Sequence, residues 1–376
     1  MEVKNIIFYK TTADFDNTGE VLIYKTLLEY IRLYGNVILD DSPRTQPLFL
    51  KRIGMHDDER LSKHTRFSFI AYMIIMSISN FFSRENHVYF VTGVGEHKVS
   101  GWKDVIKNLC AFFLFGGLSL LGVKSLRIGM SISFSGPKEE WSERMVSRVI
   151  TRYYVRDRIS QHNCIVAGVK KCRFAPDLSW AYRVDFSDSQ TRDTIILSLR
   201  STIGSKQDSS YKEELKSAFV YLTEFLHTSY PEYRLILTHQ VNKDLPFITE
   251  LYELAKGKDI PIELCNELIT LDNASKFYGK ASIVFSNRLH VLLLAYKFGA
   301  LSAAFTDTER HIKIRGIFND NGMSDCLIPI SLDRDSLQKR VNKLLEDREV
   351  YLSKLRQAEK DNRQELSEIF KVTFEG

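Results

Sequence analysis

The segment Ser286-Asn287-Arg288-Leu289-His290 places an arginine and a histidine directly after the short apolar run 281–285. Such a run is typical of a buried parallel strand, and residues 291–295 continue with a pattern compatible with a helix. Arg288 and His290 are therefore predicted at the carboxyl end of a strand, where open α/β sheets bind their ligands and a helix N-terminus offers amide donors. A fixed cation beside an imidazole can bind an anion and move a proton.

Other polar side chains follow predicted strands in the same half of the chain. Arg200 ends the strand 195–199, which gives it the same topological position as Arg288. Two guanidinium groups at neighbouring strand ends would form a planar clamp for an anion; the alternative for Arg200 is an exposed loop arginine. His239 and Gln240 follow the next strand and are predicted at the same edge of the sheet.

A basic cluster follows the strand that ends at Phe305. It consists of Arg310, His311, Lys313 and Arg315. A run of charges is usually a solvated surface. Its position after a strand gives equal weight to a second hypothesis, a place at the ligand-binding edge of the sheet.

Two glycine-containing turns follow strands in the first half of the chain. Each is interpreted as a ligand-binding turn, because glycine permits a close approach of the backbone. The alternatives are an ordinary helix cap for the first turn and a plain tight turn for the second. The candidate residues in these turns are Asn17, Gly19, Glu20, Gly93, Gly95 and Glu96.

The charged pair Arg156 and Asp157 comes immediately after the predicted strand 151–155. One interpretation is a binding edge in the first half of the chain. The other is a structural ion pair with Asp157 as the cap of the following helix, since charged residues often pair for structural reasons.

Strands and helices alternate along the chain, and the pattern restarts after a polar stretch without periodicity at 181–192. Strands that alternate with helices imply parallel βαβ units, so the predicted fold class is α/β with two Rossmann-like domains. We expect an N-terminal domain over 1–181, a C-terminal domain over 192–332 and charged surface helices over 333–376.

The composition is that of an ordinary globular protein of 376 residues with a formal charge of +5 at pH 7. So mild a charge does not argue for a nucleic-acid partner. The five cysteines are dispersed without a CxxC pair and no metal-ligand spacing appears, which predicts reduced thiols and no metal site. No secretory signal is visible at the start, so the expected location is cytoplasmic.

Two apolar segments, 67–82 and 109–123, are shorter than the roughly 18–20 residues that a membrane-spanning helix needs. One interpretation is a pair of buried helices packed on a sheet. The other is peripheral docking on the inner face of the cytoplasmic membrane, because basic residues flank both segments. These residues are Lys51, Arg52, Lys63, His64, Arg66, Lys103, Lys107, Lys124 and Arg127.

The motifs, taken in order, resemble the polysaccharide pyruvyl transferase family. The matching segments are Asn17-Thr18-Gly19-Glu20, Thr92-Gly93-Val94-Gly95, Gly129-Met130-Ser131-Ile132, Val155-Arg156-Asp157-Arg158-Ile159-Ser160, Ala175-Pro176-Asp177, Ser198-Leu199-Arg200 and Arg288-Leu289-His290. Two segments depart from the family pattern. Glu20 stands where the family has aspartate, and the mid-domain turn of three glycines is reduced to Gly93 and Gly95.

The resemblance implies a GT-B-type arrangement of the two Rossmann-like domains, with the active site in the cleft between them. It implies transfer of the pyruvyl group of phosphoenolpyruvate to two hydroxyls of a sugar, which forms a cyclic ketal on an extracellular or capsular polysaccharide. Arg200, Arg288 and Leu289 would bind phosphoenolpyruvate, with Lys313 as a further cation, and His290 would be the general acid. The first-domain turns would face a lipid-linked glycan acceptor, and no cofactor is expected beside the donor substrate.

Two alternatives to a pyruvyl transferase remain open at this point, because a fold does not fix a function. The first is a GT-B-type glycosyltransferase, in which the same basic strand ends would hold the diphosphate of a sugar nucleotide. The second is a non-catalytic glycan-binding subunit. Neither the acceptor sugar nor the linkage of the ketal follows from the sequence.

Overall fold

The computed structural model describes residues 4–11, 16–42, 47–83, 86–92, 94–186, 191–203 and 206–375. The chain forms two compact units. The first contains Met1–Phe15, Glu20–Tyr182 and Asn362–Gly376, and the second contains Asp16–Gly19 and Arg183–Asp361. Compared with the expected division into 1–181, 192–332 and 333–376, residues 16–19 and 333–361 lie in the second unit and residues 362–376 in the first.

The first unit is built on a seven-stranded parallel sheet in which β4 pairs with the carboxyl-terminal part of β5. Its main path runs β2-β1-β3-β5-β6-β7. The strands are β1 (Lys4–Tyr9), β2 (Asn36–Leu39), β3 (Asn86–Thr92), β4 (Gly95–Val99), β5 (Lys124–Phe134), β6 (Arg152–Val155) and β7 (Cys172–Phe174). Large apolar side chains of these strands, such as Phe8 and Phe90, are buried in the hydrophobic core of this unit.

Helices cover the sheet of the first unit because each has an apolar face to bury. They are α1 (Thr18–Arg32), α2 (Pro47–Arg52), α3 (Leu61–His64), α4 (Phe69–Ser83), α5 (Trp102–Leu120), α6 (Pro137–Val149) and α7 (Arg158–Val166). The two apolar segments of the sequence are thus the helices α4 and α5. Within the described ranges, no helix combines the length and hydropathy needed to cross a bilayer.

The second unit has a six-stranded sheet in the order β12-β11-β8-β13-β14-β15, all parallel, and a separate two-stranded hairpin of β9 and β10. Its strands are β8 (Thr194–Ser198), β9 (Thr202–Ile203), β10 (Lys206–Gln207), β11 (Arg234–His239), β12 (Ile262–Leu268), β13 (Ala281–Ser286), β14 (Leu301–Thr306) and β15 (Leu327–Pro329). The four central strands β11, β8, β13 and β14 are adjacent, so their carboxyl ends form one continuous edge.

The helices of the second unit are α8 (Ser209–Ser229), α9 (Leu245–Lys256), α10 (Ala274–Tyr278), α11 (Leu289–Lys297), α12 (Ile312–Asp320), α13 (Arg334–Glu346) and α14 (Arg348–Phe374). The last helix is shared: it begins in the second unit and its end belongs to the first. In the first unit Phe374 packs on Tyr89 with the ring centroids 4.7 Å apart.

The predicted α/β class with two parallel-sheet halves is confirmed. Eight elements were not predicted from the sequence: α2, α3, α12, β4, β7, β9, β10 and β15. The segment of β4 alternates exposed polar side chains with half-buried ones and lacks an apolar run. β7 and β15 have three residues each, which is too short for a periodic signal.

Candidate active site

The sequence-predicted candidates of the second unit lie where the central strands of its sheet end. They are Arg200 after β8, His239 and Gln240 at the end of β11, Arg288, Leu289 and His290 after β13, and His311 and Lys313 after β14. Ser198 pairs with Ser286 across β8 and β13, so Arg200 and Arg288 follow neighbouring strands. This is the edge at which parallel α/β sheets bind their ligands.

Arg288 is held by a carboxylate that the sequence analysis did not identify, that of Asp244. The guanidinium donates through Nε to Oδ2 and through Nη2 to Oδ1 of Asp244, the second bond measuring 2.5 Å. The side chains of this pair are only 14% and 8% exposed. A bidentate pair fixes the plane of the guanidinium as well as its position, so Arg288 is preorganised before any ligand arrives.

Arg200 is positioned through its backbone by Asn287, which is fully buried. The Arg200 N–H donates to Oδ1 of Asn287 at 2.8 Å, and Nδ2 of Asn287 donates back to the Arg200 carbonyl at 2.8 Å. The same Nδ2 donates to the hydroxyl of Tyr211 at 2.7 Å. Asn287 thus joins the ends of β8 and β13 and fixes the distance between the two arginine backbones.

His311 lies among the basic side chains and is 5% exposed. Burial, followed by the positive charges of Arg200, Lys313 and Arg288, lowers the pKa of its imidazole to about 3. The ring is therefore neutral at physiological pH. Nη2 of Arg200 lies 3.4 Å from Nε2, and because a guanidinium can only donate, Nε2 accepts and Nδ1–H donates to the hydroxyl of Thr306.

Three cations thus act on one buried, neutral imidazole. Arg200, Arg288 and Lys313 each contribute to the lowered pKa of His311, which places all three within electrostatic range of it. Within the basic cluster, His311 and Lys313 therefore lie at the binding edge of the sheet. Arg310 and Arg315 instead pair on the surface with Asp208 and Glu309, both at 2.8 Å.

The depressed pKa of His311 predicts acid sensitivity. The unfolded imidazole, with its ordinary pKa of 6.5, binds a proton at a pH where the folded one, at about 3, does not. Stability should therefore fall as the pH drops below 6.5, by up to about 1.4 kcal/mol per pH unit down to the folded pKa. Urea unfolding between pH 7 and 5 in phosphate-free buffer should show this slope, and His311→Asn should lack it. Equal slopes for the two proteins would contradict the assignment.

His290 is the second residue of α11, and it packs against the glycine turn that the sequence analysis had assigned to the acceptor side of the first domain. A Cβ added to Gly19 would lie 2.6 Å from Nδ1 of His290. The Thr18 N–H donates to the Gln240 carbonyl at 3.1 Å, and the Thr18 hydroxyl donates to the Ile269 carbonyl at 2.7 Å. The turn is thus bonded to the second unit beside the imidazole.

Asn17 acts in addition as the cap of α1, since its Oδ1 accepts from the Gly19 N–H at 3.1 Å. The ordinary cap that the sequence offered as an alternative is therefore present, and it coexists with the contact to His290. Glu20 belongs to the first unit, so the turn is divided between the two units.

Gly19→Ala should impair the site because the methyl group has no room. The Cβ would also lie 2.7 Å from Cβ of His290, so the ring or the start of α11 must shift. We expect a loss of turnover of tenfold or more and a destabilisation of about 1–3 kcal/mol. Gly117→Ala, on the exposed side of α5 with nothing within 4 Å, is the matched control and should keep both. The two are compared by thermal unfolding and turnover; a Gly19→Ala enzyme as active as Gly117→Ala would contradict the contact.

His239 and Gln240 lie at the same strand end but are each only 1% exposed. Nε2 of Gln240 donates to the hydroxyl of Tyr278 at 2.7 Å, and its carbonyl accepts from Thr18. Burial lowers the pKa of His239, against the opposing effect of Asp244. Gln240 therefore holds the glycine turn through its backbone carbonyl while its side chain is bonded to Tyr278, and His239 lies within electrostatic range of Asp244.

The remaining candidates, Gly95 and Glu96, lie in the first unit and do not form a turn. They are the first two residues of β4, with Gly95 at a positive φ of 99° and Glu96 exposed. The prediction of a glycine turn at 92–96 is therefore corrected at its end to a strand. Gly93 lies outside the described residues.

Arg156 and Asp157 belong to a buried network of the first unit. Asp157 caps α7 by accepting from the Ser160 N–H at 2.7 Å. Arg156 pairs with Asp177 at 3.1 Å and donates from Nε to the Ser131 hydroxyl at 2.9 Å. All five are at most 4% exposed, so the structural interpretation holds, with Asp177 rather than Asp157 as the partner of Arg156.

Metal-ligand geometry is not found in the part of the chain that the structure describes: no group of three or more His, Cys, Asp or Glu side chains could hold an ion. The cationic strand ends suit an anionic ligand instead. Two guanidinium groups and an ammonium are donors only, and they match carboxylate and phosphate oxygens.

Solved structures similar to this chain include two UDP-GlcNAc 2-epimerases. The UDP-GlcNAc 2-epimerase from Methanocaldococcus jannaschii has a TM-score of 0.58 at 12% identity, with 100% of each chain covered. The UDP-GlcNAc 2-epimerase from Neisseria meningitidis, bound to UDP-GlcNAc, has a TM-score of 0.53 at 13% identity, with 99% of each covered. At such low identity the likeness shows the fold alone, and it confirms the predicted GT-B-type class.

The sequence itself gives a more specific match. No curated protein matches it significantly. A family model described as polysaccharide pyruvyl transferase matches residues 17–305, which begins at the glycine turn beside His290 and ends in β14. The matched region contains Arg200, Asp244, Arg288 and His290 and most of both units. The chain belongs to the polysaccharide pyruvyl transferase family.

Proposed function

We propose that this protein is a ketal pyruvyl transferase that moves the pyruvyl group of phosphoenolpyruvate onto a sugar of a surface-polysaccharide precursor. Family membership supports the transferase class and the polysaccharide substrate. The observation that carries the donor assignment is the position of Arg200 and Arg288 after neighbouring strands, with Nη2 of Arg200 3.4 Å from the buried imidazole of His311. Phosphoenolpyruvate has a carboxylate and a phosphate, so it requires several fixed cations at one place.

The donor site would work through charge-assisted hydrogen bonds. Each is worth about 1.5–3 kcal/mol, so three or four suffice for micromolar to millimolar affinity. Asp244 holds the fork of Arg288 in one plane, and Asn287 holds the backbone of Arg200. The backbone N–H of Leu289, at the start of α11, adds a donor of the kind that binds anions at helix N-termini.

In the proposed mechanism His290 is the general acid. It protonates the methylene carbon of phosphoenolpyruvate, and the adjacent C2 becomes an oxocarbenium-like centre that a sugar hydroxyl attacks. The C2–O bond to phosphate then breaks, phosphate leaves, and the second hydroxyl attacks C2 to close the ketal. Of the two hydroxyl protons released, one replaces the proton that His290 gave to carbon and the other leaves with phosphate. The cations stabilise the departing phosphate.

The acceptor in this proposal is a lipid-linked glycan at the inner face of the cytoplasmic membrane, and the protein is cytoplasmic with peripheral membrane contact. The uncharged helix α4 and the apolar outer side of α5 support the membrane contact. A sugar-nucleotide glycosyltransferase is the second candidate, favoured by the full-length likeness to enzymes that bind UDP-GlcNAc.

Donor binding separates the two candidates. Phosphoenolpyruvate should raise the thermal unfolding midpoint of the wild type, and this rise should disappear in Arg200→Gln. Arg234→Gln is the matched control, because Arg234 begins β11 at the opposite edge of the sheet and is 55% exposed. Phosphate release from phosphoenolpyruvate in the presence of candidate repeat-unit acceptors, with mass spectrometry of the products, completes the test. A shift with UDP-GlcNAc and none with phosphoenolpyruvate would replace the proposal by the glycosyltransferase.

A further inference from the structure

The helices α4 and α5 of the first unit have apolar side chains on the faces that point away from the core. Both pack on Phe90 of β3 from the same side: Phe69 lies 6.0 Å and Phe115 5.5 Å from its ring centroid. Their buried faces are accounted for by this core. Their outer faces carry large hydrophobic side chains that are exposed among the described residues.

On α5 the exposed face is a continuous stripe. Lys103, Lys107 and Ser119 are exposed beside it. The exposed residues of the stripe itself recur at spacings of four, four, three, four and three, which is one side of an α-helix over its whole length of roughly 28 Å. None of them is charged. They are Trp102, Ile106, Cys110, Phe113, Gly117 and Leu120.

On α4 the pattern repeats. The helix has no charged residue in its 15 positions. Ile75, Ile78 and Phe82 lie along one side at spacings of three and four, and Phe82 is 80% exposed. Together with Phe67 and Phe81, the two helices hold nine of the 18 large hydrophobic side chains that are exposed among the described residues. Such concentration marks an interaction surface, since singly scattered exposed hydrophobics are normal.

The charged residues beside this surface indicate which kind of partner it binds. In segments 61–83 and 100–123 the basic residues are Lys63, Arg66, Lys103 and Lys107, against Asp104 as the one acidic residue. Lys63 pairs with Asp57 at 3.1 Å and Lys107 with Asp104 at 3.0 Å, both on the surface. Trp102 lies at the basic end of α5, where Lys138 sits 4.7 Å from its ring centroid. Apolar side chains beside a tryptophan and a basic rim are the composition of a helix that lies in the headgroup region of an anionic bilayer.

A second copy of this chain fits the surface less well. A symmetric dimer matches the same patch of both copies, so it would bring two sets of these lysines and arginines together. Like charges at an interface oppose association, and Asp104 is the one acidic residue in the two segments that would offset them.

We propose that the outer faces of α4 and α5 dock the protein on an anionic lipid bilayer. Docking is independent of the identity of the donor substrate, because it uses neither Arg200, Arg288 nor His290. Insertion of the apolar stripe provides the attachment, and the basic rim contacts the phosphate of the lipid headgroups. The helices lie in the plane of the interface and do not cross the membrane.

Vesicle flotation tests the proposal. Wild-type protein should float with vesicles of phosphatidylglycerol and phosphatidylcholine and much less with phosphatidylcholine alone. Phe82→Ser combined with Phe113→Ser should lower the bound fraction at least tenfold without changing the thermal unfolding midpoint. Ile165→Ser is the matched control, since Ile165 is 63% exposed on α7 of the same unit. Wild-type protein that stays with neither vesicle overturns the proposal.

The exposed Cys110 supplies a direct readout of insertion, because it lies within the stripe while Cys164, Cys172 and Cys326 are buried. In a Cys265→Ser background, an environment-sensitive dye on Cys110 should shift to shorter wavelength with anionic vesicles and be quenched by brominated lipid. A dye on Cys265 in a Cys110→Ser background is the control. Sedimentation of the same samples without lipid identifies the rival: a wild-type dimer that the Phe82 and Phe113 changes convert to monomer, with no dye shift on vesicles, would assign the surface to a second copy.

Discussion

Replacing His290 with alanine should reduce turnover by roughly 10²–10⁴ while leaving phosphoenolpyruvate binding within a few-fold of the wild type. The reason is that a general acid acts in the transition state, and loss of one typically costs that factor. Donor binding depends on cations outside this side chain, namely Arg200, Arg288 and Lys313. The measurement is phosphate release under saturating donor and acceptor, with the dissociation constant obtained separately by calorimetry.

Two controls make the result specific to the imidazole. His227→Ala removes an exposed histidine on α8 of the same unit and should leave both constants unchanged. His290→Ala should also stay folded, since the side chain is only half-buried and its removal opens space next to Gly19. Near-normal turnover by His290→Ala would exclude it as the acid, whereas equal losses of binding and turnover would indicate that it holds the donor instead.

The fold was largely predictable because its main signals are local. Strands such as β13 are mostly apolar, and the predicted run 281–285 lies within β13, which extends one residue further to Ser286. The elements that escaped prediction lack this signal. β4 owes its existence to pairing with β5, where Gly95 lies opposite Met130, and no property of the segment 95–99 alone requires it.

The sequence predicted where the candidate site residues lie in the fold, but it did not predict the hydrogen bonds that hold them. A charged residue after a buried strand can be placed at the sheet edge from topology alone, which located Arg200, Arg288 and His311. Asp244 escaped because it lies 44 residues from its partner Arg288, in a segment that also looks like the start of α9. Asn287 directly precedes the predicted site residue Arg288, and its signal was a polar residue immediately after a buried strand.

The glycine turn at residues 17–19 makes long-range contacts that could not be predicted from the sequence. Asn17 and Gly19 precede every residue of the second unit's sheet, so the sequence favoured the first domain for them. Thr18 between them instead donates its backbone N–H to the Gln240 carbonyl and its hydroxyl to the Ile269 carbonyl, more than 220 positions later in the chain. A long-range backbone hydrogen bond has no signature in composition or periodicity.

Replacing Arg288 with methionine should lower kcat/KM for phosphoenolpyruvate by roughly 10²–10³ and destabilise the fold. Loss of two charge-assisted hydrogen bonds to the donor corresponds to about 3–4 kcal/mol of transition-state stabilisation. The destabilisation, of about 3 kcal/mol, arises because the buried carboxylate of Asp244 loses its counter-ion. Arg288→Lys should restore part of the stability but little of the activity, since an ammonium keeps the charge and lacks the planar fork.

The double variant Arg288→Met with Asp244→Asn separates the two effects. Removing the carboxylate charge should return most of the lost stability, because the cost came from an unpaired buried ion, while kcat/KM should stay as low as in Arg288→Met. The exposed pair of Arg234 with Glu263 is the control, and Arg234→Met should change stability by less than about 1 kcal/mol and leave kinetics intact. Recovery of activity together with stability in the double variant would mean that Arg288 serves the fold and that the donor is held by other groups; recovery of stability alone assigns the arginine to the donor.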